Sequence, residues 1–207
     1  MTRALSVHPA KISVILPGTW ADIPLDDAAS TDAAISALVK RQVGRNDRLA
    51  TLRRDAKQRL AEVARDAREA NAVMLALSLD ILPGVPFPAS LMADYREWPA
   101  TVGEERRTVA DGLAMLLPAG ELLEFTSGVA IRSFARTTIR PGTAAIPDIK
   151  LEYFLTVPTG EKVLHIVADV PIDCDPEIIA ALFDAIVDSI RWFPDATVVP
   201  GGTVDAG

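Results

Sequence analysis

From Gly128 to Val170 the chain runs through three extended segments separated only by short connections, and this feature constrains the fold most. Gly128–Arg140 alternates: Val129, Ile131, Ser133, Ala135, Thr137 and Ile139 face one way, and Ala130, Arg132, Phe134, Arg136, Thr138 and Arg140 face the other. A connection at 141–148 leads to a strand over Lys150–Val157. A tight turn at 158–161 leads to a third strand over Lys162–Val170. A parallel pairing needs a crossover of about a dozen residues or more, and these connections are too short, so the three strands pair antiparallel.

The rest of the chain adds strands and helices to this sheet. Extended segments are expected over Ile12–Leu16, Ala72–Ile81, Ser90–Trp98 and Glu121–Thr126, with an irregular piece over Trp20–Leu25. The prolines of 83–88 mark a turn, since each removes a ladder donor. Ser30 or Thr31 can cap a helix bearing Ile35, Leu38 and Val39. A longer helix over Asp47–Ala70 carries Leu49, Leu52, Ala56, Leu60, Val63, Ala67 and Ala70 at spacings of three and four, the pattern of one apolar face. Glu104–Leu117 also reads as helical. In the last helix Asp175 suits the N-cap, Pro176 the first turn and Glu177 the helix dipole. Ile178, Ile179, Leu182, Phe183, Ile186, Val187 and Ile190 form its apolar stripe. The expected fold is α+β: an antiparallel sheet of about six strands packed by helices, one domain over 1–195 with a flexible tail over 196–207.

Composition narrows the class of protein. Hydrophobic residues make up 49% and charged residues 24%, which excludes general disorder, while the 5% of aromatics leaves the core to Val, Ile, Leu and Ala. The single cysteine, Cys174, allows no internal disulfide and suits a reducing, cytoplasmic setting. No apolar window approaches the roughly 20 residues of a membrane helix. The net charge of −7 makes nucleic acid an unlikely partner, although basic residues crowd the segment from Lys40 to Arg68.

A family resemblance rests on LPGTW and IPL near the start, the GVAIRSF strand, the YFLTVPTGEKVLHIVADVP hairpin and the closing LFDAIVDSIRWF helix. Together these segments resemble the Mog1/PsbP-like group of bacterial proteins. That resemblance implies an α/β/α sandwich and a binding or accessory role, and it supplies no shared catalytic residues.

The residues offer little catalytic chemistry. Nucleotide-binding glycine loops, a nucleophile elbow and zinc signatures are all lacking, so no catalytic residue, metal or cofactor is expected. His8 and His165 are the only histidines, and mid-strand His165, which could serve as a general base, reads instead as a hydrogen-bonded or half-exposed sheet residue. Cys174 sits before a helix, which could activate a thiol, but Asp173 and Asp175 flank it and oppose the thiolate. Asp173 and Asp175 have a metal-pair spacing that the capping role of Asp175 explains more simply. The arginine row is the main polar feature. A symmetric connection would set Arg136 opposite Glu152, Phe134 opposite Phe154 and Thr138 opposite Lys150, leaving Arg132 and Arg140 to meet a partner beside Phe134. The expected function is a non-enzymatic binding or accessory protein that recognises another protein. The alternative is a small enzyme or ligand-binding protein with a pocket between sheet and helices.

Overall fold

The computed structural model describes residues 3–7, 12–43, 47–99, 108–139, 145–160 and 162–193. The elements begin with strands β1 (Arg3–Val7), β2 (Ile12–Leu16) and β3 (Thr19–Asp22), then helices α1 (Ala28–Val43) and α2 (Ala50–Glu69). Strands β4 (Ala72–Leu82) and β5 (Val85–Glu97) precede the short helix α3 (Val109–Leu116). Four strands follow: β6 (Glu121–Phe125), β7 (Gly128–Ile139), β8 (Ile146–Thr156) and β9 (Lys162–Val170). Helix α4 (Pro176–Asp188) and the two-residue strand β10 (Arg191–Trp192) complete the order.

The fold is α+β. Seven strands form one antiparallel sheet in the order β3-β4-β5-β9-β8-β7-β6, and β1, β2 and β10 form a second, three-stranded sheet. Alternation along the strands divides the burial between two faces. One face sends Met74, Leu91, Leu151, Tyr153, Leu164 and Ile166 into the main core, closed by α4 and by Ile12, Val14 and Leu16 of the small sheet. The other face has two separate covers. Leu75 packs with Ile35, Leu38, Ala64 and Ala67 of α1 and α2, while Ile131, Phe154 and Val163 pack under Leu113 of α3.

Local chemistry explains the element boundaries. Asp175 accepts a hydrogen bond from Glu177 N at 3.1 Å and starts α4 with Pro176 in its first turn, as the sequence suggests. Helix α1 starts earlier than expected: Asp27, not Ser30 or Thr31, is the capping side chain, accepting from Ser30 N at 2.8 Å. Helix α3 begins late, at a capping box in which Thr108 and Asp111 satisfy each other's backbone N–H groups. The region from 83 to 88 is a two-residue turn followed by strand. Pro86 and Pro88 are tolerated because β9 pairs with β5 only from Ser90 onward, leaving no ladder to break on that side. Gly18 passes the chain from the small sheet to the large one at φ +83°, where an added Cβ would lie 2.1 Å from the Asp80 carbonyl oxygen. The proposed tail, 196–207, lies outside the described residues.

The expected register of β7 against β8 is wrong. Ser133 stands opposite Glu152, Phe134 opposite Leu151 and Arg136 opposite Ile149. The offset from the symmetric pairing is odd, so Glu152 points away from the arginine row. The expected apolar face of α2 is also only partly right. Ala64 and Ala67 are buried and Leu60 is half-buried, but Leu52 and Val63 remain 55% and 42% exposed.

Candidate functional site

The two described arginines of the row, Arg132 and Arg136, are both engaged within the chain. Arg132 is 8% exposed, and its guanidinium donates to Asp184 on α4 and to Glu121 on β6. Tyr153 on β8 donates its hydroxyl to the other oxygen of Asp184 at 2.9 Å. Burial opposes the charge of Arg132, but Asp184 and Glu121 outweigh it and hold its pKa above the ordinary value. Burial, with Asp184 beside it, pushes the Tyr153 phenol well above its usual range. Half-buried Phe134 packs against the main core with its ring centroid 5.1 Å from Arg132 Cζ. Arg136 reaches the loop before α4, pairing with Asp173 and donating to Cys174 O at 2.7 Å. Arg140 lies outside the described residues. The reason for singling out Arg132, a guanidinium with no partner within the chain, therefore does not hold.

The acids around Cys174 are likewise engaged: Asp173 by Arg136, and Asp175 as the cap of α4. Among the described residues no group of three or more His, Cys, Asp or Glu side chains could hold a metal ion. Nor does any helix there have the length and apolarity to cross a membrane. His8 lies outside the described residues.

The densest chemistry is a cluster that the sequence reading missed. It lies on the sheet face that α3 and the α1–α2 pair cover separately. His165 on β9 stands directly opposite Asp94 on β5 and Phe154 on β8. Its Nδ1 lies 3.0 Å from Asp94 Oδ2, and its Nε2 lies 2.9 Å from Glu152 Oε1. The Phe154 ring stacks on the imidazole at 4.6 Å between centroids. Asp94 is 1% exposed and also pairs with Arg96 two residues along its strand. Burial pushes its pKa up, but the hydrogen bonds and charges of His165 and Arg96 prevail and hold it below the ordinary carboxylate value. Each nitrogen of the ring thus meets one carboxylate oxygen, Asp94 on one side and Glu152 on the other. Glu152, with its side chain 32% exposed, is the end of the cluster that meets solvent.

Only part of this cluster was legible. The tight turn after β8 fixes the hairpin register that sets Phe154 against His165. Asp94 is 71 residues away and comes into place only through the β5–β9 pairing.

A second feature lies on α2. Leu52 and Val63 are eleven residues apart, three helical turns, and so share one line along the outer flank of the helix. Arg59 lies between them, with Asp55 and Asp66 alongside, and all these side chains are half to fully exposed. Compared with family models and with curated proteins, the chain matches none.

Proposed function

We propose that this chain is a non-enzymatic binding or accessory protein that recognises another protein through the outer flank of α2. The supporting observation is the line of Leu52 and Val63, 55% and 42% exposed, set among charged side chains on a 20-residue helix. A shallow apolar patch rimmed by charge is what a protein-recognition surface requires. The resemblance to Mog1/PsbP-like proteins would imply the same kind of role. We also read the chain as cytoplasmic, since its lone cysteine suits a reducing compartment, and as indifferent to nucleic acid, since its net charge of −7 repels phosphate.

The test is site-specific photo-crosslinking in the native cell. A photoreactive residue at position 59 should capture a defined partner. The same group at position 178, an exposed site on α4, should not. Leu52→Glu with Val63→Glu should abolish capture without lowering the melting temperature. Equal capture from both positions, or none from position 59, would sink the reading.

The Asp94–His165–Glu152 cluster favours a second reading: a ligand-binding or catalytic site on the sheet between the helical covers. A small molecule that shifts the His165 imidazole resonances in the natural chain, and binds no longer after Glu152→Gln, would favour it. Resonances indifferent to a broad metabolite set would count against it.

A further inference from the structure

We infer that the occupant of the α2 flank is a second copy of this chain, docked antiparallel helix to helix. The inference rests on the preceding reading of α2 as the recognition surface. Leu52, Ala56, Arg59, Val63 and Asp66 follow one another at spacings of four, three, four and three. Such a spacing forms a narrow seam that faces a partner helix and lets side chains of one helix fit between those of the other. The core takes the neighbouring edge of the helix through Ala64 and Ala67, with Ala56 and Leu60 at its margin, so Leu52, Arg59, Val63 and Asp66 remain exposed along the seam.

Charge selects the direction. Residues 48–59 carry Arg48, Arg53, Arg54, Lys57 and Arg59 against Asp55, whereas residues 60–69 carry Glu62, Asp66 and Glu69 against Arg65 and Arg68. A parallel pair in register would set Arg59 on Arg59 and Asp66 on Asp66 within the seam, both repulsive. An antiparallel pair sets the basic half of each helix on the acidic half of the other. It also brings Leu52 against Val63 of the second copy and small Ala56 against long Arg59. Both contacts occur twice, as a two-fold interface requires. One helix flank buries less than the ~800 Å² per partner of a standard interface, so the dimer forms only at high concentration.

The test uses disulfide trapping in the full chain. Cys174, the single cysteine, is first replaced by serine. Leu52→Cys and Val63→Cys are then made as separate proteins and mixed under mild oxidation. Across the dimer, positions 52 and 63 are opposed, whereas the two copies of position 52 are separated by about 16 Å along the axis, too far for a disulfide. The mixture should therefore yield about ten-fold more mixed disulfide than either protein yields alone. Light scattering on the natural chain should show a mass that rises with concentration, and Leu52→Asp should abolish the rise. A monomer at every concentration, or efficient trapping of position 52 to itself, overturns the inference. If the chain stays monomeric while position 59 still captures a different protein, only the self-pairing fails. If it captures nothing, the recognition surface fails as well.

Discussion

His165 and Asp94 face each other across the β5–β9 ladder, with Nδ1 of the ring 3.0 Å from Oδ2 of the carboxylate. Asp94 is 1% exposed, so its charge depends on partners rather than on water. Removing the ring leaves a buried carboxylate with only the half-exposed Arg96 beside it. His165→Ala should cost about 3–5 kcal/mol in urea denaturation, the usual cost of breaking a buried pair. A loss below about 1 kcal/mol would show that water replaces the imidazole without difficulty.

The same relationship sets an acid limb. The folded-state pKa of Asp94 lies below its ordinary value, so the folded state holds the ionised form more tightly than the unfolded chain does. The stabilisation is complete above the unfolded pKa of about 3.9 and is lost as pH falls through the lower folded value. Stability measured from pH 6 downward should therefore fall less steeply below about pH 4 in Asp94→Asn than in the natural chain. Parallel curves would show that Asp94 contributes no such linkage.

Asp169 should behave in the opposite sense. Burial, with Asp148 nearby, raises its folded-state pKa, so its ionised form is a cost to the folded state at neutral pH. That cost is complete above the raised folded value and vanishes below the unfolded one. Asp169→Asn should raise the melting temperature at pH 7, and the gain should fade as the buffer is acidified toward about pH 4. A lower melting temperature at pH 7 would mean that the nearby Lys150 matters more than burial.

Arg132 latches α4 to the sheet through Asp184, and its side chain is 9% exposed. Arg132→Ala should cost about 3–5 kcal/mol by leaving Asp184 without its cation. Arg132→Met, paired with Asp184→Leu and with Tyr153→Phe to remove the hydroxyl that Asp184 accepts from, should restore much of the loss, because an apolar cluster of similar volume carries no desolvation penalty. If Arg132→Ala melts like the natural chain, the latch is not stabilising, and a role for Arg132 in meeting a partner regains its footing.

Phe183, on the inner face of α4, is fully buried at 0% exposure. Phe183→Ala should cost about 3–5 kcal/mol, a large share of the stability of an ordinary domain. A loss below about 1 kcal/mol would contradict the placement of α4 as the lid of the main core.

The sequence by itself determined what is local. The hairpin from β8 to β9, the capped start of α4 and the antiparallel sense of the sheet follow from turn residues, capping chemistry and alternation over neighbouring residues. The tertiary structure decided everything that depends on how distant segments meet. The connection between β7 and β8, expected at 141–148 but bounded by Ile139 and Ile146 in the structure, left the β7–β8 register open. The actual pairing of Ser133 with Glu152 turned Glu152 to the face of His165 and left Arg132 to Asp184. The spacing on α2 offered one wide apolar face, but only the docking angle against α1 and β4 decided that Ala64 and Ala67 would be buried and Leu52 left in water. A strand fixes side-chain parity and a helix fixes angular spacing, but neither fixes the partner. Partner choice is set by the packing of the whole chain, and it was this that brought Asp94 to His165 across 71 residues.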